Sequence, residues 1–438
     1  MPGDTVSVIR PRTYEEAAVA VRGCGARGAV ARGGPGRAHG DAARNAGGAV
    51  LDMAGLDRVH VVDAAEGIVL CDAGVPLHRL TELLLPLGWL TPVVPAARHV
   101  TVGGAIGADL HGADHYVSGS FSGHVLALEL LTADGEVHAV RPGTELFEAT
   151  AGGLGLTGVI LTATIRLLPV ETAYLTVATE RAAGLDDLLA RLTATGHQHR
   201  YAAARLDLTA RGAATGRGVL TRADPAPQGA LRTGTRAWRR PLSPRPYRLP
   251  PLPSLAPAGL LGRAAAGLLG ELRHRAAPRA RTGALRHLSA FAHPLDSVPH
   301  GGPPLGGGCV RYQFVVGHGQ EETLHRIVRR LADRRCPSFH AVLQRLGDAG
   351  PGWLSCAVPG WSLALDLPVA LPGLAGFLDG LDEEVAAAGG RVGLARDARL
   401  RPDLLTAMYP RAADFRALRA RLDPRGVFVS DLARRLGL

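Results

Sequence analysis

Residues 101–112, TVGGAIGADLHG, decide the reading of this chain: a run almost without side chains that ends on one imidazole, His111. Glycine tolerates positive φ and lets backbone N–H groups come close to a ligand, which is what a diphosphate needs. Two more glycine-rich loops stand in the same region, ARGGPGRAHGD at 31–41 and GGLGLTG at 152–158. One such loop says little, but three among short strands point to a large dinucleotide lying across several turns. Residues 153–158 formally match G-x-G-x-x-G, yet they follow a helical stretch and precede a strand. A Rossmann site needs the order strand, loop, helix, so that reading is rejected.

Outward from these loops the first third alternates helical patterns with β-rich runs. TYEEAAVAVRGCGARG (13–28) has amphipathic helical spacing, AVLDM, GIVLCDAG and VLALELLTADGEVHAV read as strands, and Asp134-Gly135 marks a hairpin turn. LFEATAG is helical and GVILTATIRLLPV is the strand that leaves the region. From about 175 a second pattern begins: strand, helix and strand, then residues 223–257, too rich in Pro and Arg to build a packed element. Beyond it the order helix, strand, helix, strand, strand, helix suits an antiparallel sheet with helices on one face. The spacing predicts an α+β protein in which residues 1–173 form one domain, 174–392 a second carrying the 223–257 insertion, and 393–438 a closing segment.

With 46% hydrophobic and 20% charged residues in 438, the chain can bury more than one core. The N-terminus lacks the charged-then-apolar pattern of a secretory leader and no apolar run reaches membrane-spanning length, which predicts a cytoplasmic protein. Five scattered cysteines suggest neither a disulfide framework nor a metal cluster. The formal charge of +10 is carried entirely by arginine, and with only 4% aromatics nucleic-acid binding is not expected. The basic, proline-broken stretch around Trp238 and Tyr247 could instead touch an anionic membrane surface.

The runs ARGGPGRAHGDAARNAGG, LDMAGLDRVHVVDAAEGIVLCDAGVPL, VTVGGAIGADLHGADHYVSGSFSGHV, LLTADGEV and GGLGLTGVI resemble the FAD-binding (PCMH-type) domain of the vanillyl-alcohol-oxidase superfamily. FAHPLD, RYQFVV, PGW, AMYPR and the tail VFVSDLARRL extend the resemblance, in order, to the decaprenylphosphoryl-ribose oxidase family over nearly the whole chain. The resemblance implies a two-domain α+β flavoprotein, with FAD held by the N-terminal domain and the C-terminal tail and the substrate against an antiparallel-sheet cap. It assigns to the cofactor Arg32, Gly33, Gly34, Pro35, Gly36, Arg37, Ala38, His39, Gly40 and Asp41 of the first loop, and Ala96 before the second. Thr101, Val102, Gly103, Gly104, Ala108, Asp109, Leu110 and His111 follow, then Gly153, Gly158 and Gly393. Arg37 stands where some members of the superfamily carry the histidine that attaches FAD, and His39 lies two positions on, so non-covalent FAD is expected.

Such a flavoprotein would oxidise a secondary hydroxyl of a sugar to a ketone, passing the hydride to flavin N5, as the first half of an epimerisation completed by a separate NAD(P)H-dependent reductase. The alternatives are an oxygen-using alditol or aldonolactone oxidase and a catalytically silent homologue. His111 suits the loss of the hydroxyl proton, because imidazole titrates near neutrality. Arg396 stands where the family has a lysine, and a guanidinium serves as a fixed charge rather than as a base. Gln313 is retained and can hydrogen-bond the substrate or the flavin edge. The expected substrate wall is Gln313, Gln344, Ser362 and Ala364, the last three replacing a lysine, an asparagine and a cysteine of the family; Ala113 replaces another lysine, Ala292 an aromatic residue and Gly393 a tyrosine.

Overall fold

In the computed structural model, which describes residues 7–33, 40–95, 99–244, 263–292, 309–336, 338 and 340–438, the N-terminal region is built on two main sheets, with a short antiparallel pair of Trp89–Leu90 and Leu168–Pro169 beside them. The smaller is parallel, with strands Ser7–Ile9, Ala49–Asp52 and Ala29–Arg32 side by side in that order. The larger is antiparallel, in the order Val59–Asp63, Ile68–Asp72, Val159–Arg166, Val125–Leu131, Val137–Val140. Val159–Arg166 is its middle strand and is buried on both faces, as its near-continuous apolar run VILTATI requires. The predicted hairpin turn sits at Gly135, whose φ of 86° only glycine adopts at low cost. The helix Tyr14–Arg22 starts at Thr13, whose hydroxyl accepts from the Glu16 N–H at 3.1 Å while the Glu16 carboxylate takes the Arg12 N–H at 2.7 Å.

Among the described residues the second region is one eight-stranded antiparallel sheet, ordered Ala280–His287, Tyr174–Ala182, Gly218–Pro225, Tyr201–Leu206, Ala341–Leu346, Gly360–Pro368, Cys309–Gly317, Arg391–Val392. Its outer face is covered by three helices. Leu185, Leu188, Leu189 and Leu192 come from Leu185–Thr195; Leu324, Ile327, Val328 and Leu331 from Glu321–Asp333; Leu374, Phe377, Leu378, Leu381 and Val385 from Leu374–Ala387. Each set repeats at three and four residues, so one stripe of each helix meets Tyr312, Phe314, Val316, Leu343, Leu363 and Leu365 in the core. The period of two then turns Gln313, Ser362, Ala364 and Gln344 to the opposite face.

The stretch 223–257 corrects one expectation. Its first residues complete the strand Gly218–Pro225, Ala226 and Leu231 are buried, and the Pro241 carbonyl accepts from Ala173 N–H at 2.7 Å. Proline at the last position of a strand costs no ladder donor, so its density there does not prevent packing. The remainder, from 245, lies outside the described residues, as does Tyr247.

The C-terminal segment returns to the first region. Ala29 N–H donates to the Val427 carbonyl at 2.7 Å and Val429 N–H to the Ala29 carbonyl at 2.9 Å, which adds the tail alongside the parallel sheet. The buried Asp423 carboxylate takes the N–H groups of Val427 and Phe428, both at 2.7 Å, and fixes the turn before it.

Candidate active site

The three glycine loops meet. A Cβ on Gly33 would run into the Thr101 side chain, one on Gly40 into the Asp397 carbonyl, and one on Gly152 would press on Asp109 and the Ser355 backbone. The third loop is bonded to the second: Gly152 N–H donates to the Ile106 carbonyl at 2.9 Å and Leu154 N–H to the Gly107 carbonyl at 2.8 Å. Glycine at Gly33 and Gly40 is therefore a matter of approach distance, and at Gly152 also of its φ of 72°.

The second loop differs from expectation in one respect. Thr101 caps the short helix Val102–Gly107, its hydroxyl accepting from Gly104 N–H at 3.2 Å; Val102 and Gly103 donate at 2.9 and 2.7 Å to the Val75 and Ala73 carbonyls. Those three N–H groups are spent inside the protein and are not open donors for a diphosphate. Val102 is fully buried and works as core. Gly158 lies at the foot of a strand against the Leu131 carbonyl, so it is a packing position.

A cavity opens where the loops face the sheet. It is lined by Ala108, Asp109, Leu110, His111, Gly152, Leu154, Gln313, Leu354, Cys356 and the run Gly393–Arg396. His111, Gln313 and Arg396, which are 202 and 83 residues apart in sequence by their numbers, thus converge on one space. Gly34, Pro35, Gly36, Arg37, Ala38, His39 and Ala96 lie outside the described residues. Arg32 sits beside Asp52 at 3.6 Å, and Asp41 is held by Arg435 at 3.0 Å. Asp109 and Leu154 are two of the three non-glycine residues with positive φ, 40° and 56°, among the described residues, and both line the cavity. Such backbone is held only where the surroundings over-determine it; here the buried Asp109 carboxylate accepts from Ser122 N–H at 3.3 Å and Ser355 Oγ at 2.6 Å.

Gln313 Nε2 donates to His111 Nε2 at 2.9 Å and to Ser362 Oγ at 3.1 Å. That pairing makes Nε2 of the imidazole an acceptor and leaves its proton on Nδ1. Burial, with repulsion from His115 and Arg396 added, pushes His111 down to about 3, so it stays neutral. The His115 ring packs edge-on against it at 5.4 Å. Burial and the nearby Arg311 lower Arg396 to about 10, which leaves it charged at neutral pH. Its guanidinium has no hydrogen-bond or ion-pair partner among the described residues.

Ser362 is buried beneath Gln313 and supports it, while Ala364 and Gln344 stand on the same sheet face without lining the cavity. Sequence reasoning missed Cys356, Leu354, Leu394 and Ala395, and in the third loop it named Gly153 and Gly158 where Gly152 and Leu154 line the cavity. Cys356 restores a thiol to the cavity from a different segment than the Ala364 strand, and burial raises that thiol to about 11. No spacing in the sequence distinguishes it from the other cysteines.

The cavity fits a flat cofactor. Ala108, Gly152 and Gly393 of its lining offer almost no side chain, which leaves room for a flat ring system to lie against them.

Residues 6–141 match the FAD binding domain family. With this cavity, the match makes the protein an FAD-dependent oxidoreductase. It is 38% identical over 419 residues, 94% of this chain and 90% of the relative, to the decaprenylphosphoryl-beta-D-ribose oxidase of Mycolicibacterium smegmatis. The chain belongs to that oxidase family. It is also 57% identical, over 83% of this chain and the full length of the relative, to an uncharacterised protein of the mprA 5′ region of Streptomyces coelicolor. Human Delta(24)-sterol reductase is 32% identical over 144 residues, 32% of this chain and 28% of that protein. Among the described residues no helix is long and apolar enough to cross a membrane.

Proposed function

We infer that the protein oxidises a secondary hydroxyl of a sugar or sugar derivative to a ketone, as the first half of an epimerisation that a separate NAD(P)H-dependent reductase completes. The observation that carries this reading is the convergence on one cavity of a neutral imidazole, a carboxamide and a guanidinium that has no hydrogen-bond or ion-pair partner among the described residues. Bound FAD, held without a covalent link, supplies the acceptor for the hydride that leaves the substrate carbon.

His111 presents Nε2 as the proton acceptor, and Gln313 keeps that lone pair turned into the cavity. A substrate hydroxyl that replaces Gln313 at this nitrogen donates its proton there, and Gln313 then holds a sugar oxygen, steadied by Ser362. An imidazole held near 3 is a weak base, so it needs help. Arg396 gives it: a fixed positive charge in a poorly solvated site favours the negative charge that builds on the substrate oxygen. The glycines and alanines of the lining leave that space unfilled.

The test has two parts. The absorption spectrum of the purified protein before and after denaturation should show flavin that is released on unfolding. Anaerobic titration with free, nucleotide-linked and polyprenyl-phosphate-linked sugars should bleach that flavin with one class. His111→Ala should keep the flavin and slow the bleaching about 10²–10⁴-fold, the range for loss of a general base. Bleaching at the unaltered rate would remove His111 from the reaction, and a protein that binds no FAD would remove the reading altogether.

A further inference from the structure

The positive charge of the chain is concentrated in one stretch. Residues 225–292 hold twelve arginines and a single acid, Glu271, so this stretch carries more than the whole formal charge of +10 and the remainder of the chain is close to neutral. Its described parts lie along one edge of the eight-stranded sheet. Ala280–His287 is the outermost strand, paired among the described residues only with Tyr174–Ala182. The helix Arg263–Ala276 leads into that strand. The segment that follows Gly218–Pro225 meets its far end, where His287 Nε2 donates to the Ser243 carbonyl at 3.0 Å. Arg279, Arg281 and Arg286 are exposed along the strand, and Arg236, Arg239 and Arg240 are exposed around Trp238. None of these six makes an ion pair among the described residues. The one acid is already engaged, because its two oxygens pair with Arg217 and Arg275, each at 2.5 Å.

Large apolar side chains stand out of the same edge. The helix Arg263–Ala276 sets Gly270 and Glu271 against the protein, where a Cβ on Gly270 would press on the Asp207 carboxylate. Leu268, Leu272 and Arg275, spaced four and three apart, share another side of it; the leucines are 62% and 54% exposed. Trp238 is 41% exposed at the other end of the strand, on a short helix capped by Thr235, whose hydroxyl accepts its N–H at 3.3 Å. Arginines alone would suit any polyanion. Leucine and tryptophan beside them gain only where an apolar layer lies beneath the anionic one, as it does below lipid headgroups. A single nucleic-acid strand would instead ask for several aromatic platforms, and Trp238 is the one exposed aromatic of this edge among the described residues. We propose that the edge formed by Ala280–His287, the helix Arg263–Ala276 and the turn bearing Trp238 docks the protein on an anionic lipid surface. The arginines lie at the headgroup phosphates, and Leu268, Leu272 and Trp238 enter the boundary with the acyl chains. The contact requires nothing of the reaction in the cavity and stands apart from it.

The holoenzyme is mixed with phosphatidylcholine vesicles and with vesicles that also contain phosphatidylglycerol, and the bound protein is measured by flotation. Binding to the anionic vesicles should be at least tenfold tighter than to the neutral ones, and should fall at least tenfold as salt is raised from about 0.05 M to about 0.5 M. Tryptophan emission should shift to the blue on binding, and brominated acyl chains should quench it in the unaltered protein; Trp238→Phe should abolish both signals. Leu268→Ser combined with Leu272→Ser should weaken binding at least fivefold, and Arg279→Glu combined with Arg281→Glu at least tenfold, with flavin content and circular dichroism those of the parent. No binding of the parent to anionic vesicles, or binding unchanged in both double variants, overturns the proposal. Binding that the arginine pair weakens and the leucine pair does not, with duplex DNA held as tightly, makes the edge a general polyanion site and overturns the assignment to lipid. Either result leaves the reading of the cavity untouched, and a flavin that no sugar bleaches leaves the lipid contact standing.

Discussion

At the scale of single residues, three histidines, one buried and two partly buried, and one buried aspartate pull stability in opposite directions with pH. His111, His115 and His340 are held at about 3, 4 and 4, chiefly by burial, so the unfolded chain takes up their protons below about 6.5 while the folded one does not. Their stabilising contribution is complete above that value and is lost as the pH falls toward 4. Asp114 runs the other way. Burial raises it to about 7, so the folded protein keeps a proton that the unfolded chain gives up near 4, and stability falls as pH rises from 4 to 7. Three protons against one leave a net two across the shared window, at most about 2.7 kcal/mol per pH unit, and less because His111 and His340 retain some solvent contact. The thermal midpoint of the protein should therefore drop as the pH is taken from 6.5 to 4.5. Asp114→Asn, which keeps an acceptor for the Val94 N–H, should raise the midpoint more at pH 8 than at pH 5. An equal gain at both values would show that Asp114 is ionised in the fold throughout. The same arithmetic bears on the reaction: with His111 neutral from pH 5 to 9, the rate of flavin bleaching should show no inflection near 6.5 attributable to it.

At the scale of elements, the close approach of loops makes a sharper demand than their sequence discloses. Gly40 stands where a methyl group would press on the Asp397 carbonyl and the Arg396 backbone, neither of which can swing away as a side chain would. Gly40→Ala should push apart the first loop and the segment that carries Arg396, so flavin content on purification should fall severalfold with little loss of helix by circular dichroism. Gly393→Ala is the contrast, since its added carbon would meet Cys356 Sγ at 3.6 Å and Gln313 Cβ at 3.7 Å, ordinary contacts. It should retain flavin. Much of this architecture is legible in the chain, because the near-continuous apolar run VILTATIR marks a central strand and a period near four survives in LHRIVRRLAD. Ala280–His287 is not: ARTGALRH is mostly exposed, alternates weakly, and becomes a strand only because the edge of Tyr174–Ala182 is there to pair with it. The cavity divides in the same way. His111, Gln313 and Arg396 could be singled out by motif, whereas Cys356 and Leu354 reach the site through backbone paths that no local pattern encodes. The spent N–H groups of Val102 and Gly103 were equally hidden, since a glycine in sequence does not reveal whether its amide is free.

At the scale of the whole molecule, the last residues of the chain hold together regions that are remote in sequence. Arg435 donates to Asp41 through Nε at 3.0 Å and to Asp397 through Nη2 at 2.9 Å, joining the C-terminal helix Asp431–Leu436, the first glycine loop and the segment that follows Arg396. Asp397 is almost wholly buried and also takes the N–H groups of Arg399 and Leu400, both at 3.0 Å, so its charge depends on these donors. A carboxylate stripped of its cation inside a protein costs about 3–5 kcal/mol when fully buried. With Arg435 itself partly exposed, the loss here should be nearer 2 kcal/mol. Arg435→Ala is thus expected to lower the thermal midpoint by several degrees, and also to weaken FAD, because Asp41 and Gly40 lose the anchor that presses the first loop toward Asp397. Arg435→Lys keeps the charge but can span only one of the two carboxylates, so it should recover part of the stability and less of the flavin affinity. Flavin dissociation followed by fluorescence separates the two effects. If FAD leaves Arg435→Ala at the parental rate while stability falls, the tail is only a brace for the fold; a faster release at temperatures where both proteins are folded makes it part of the cofactor site.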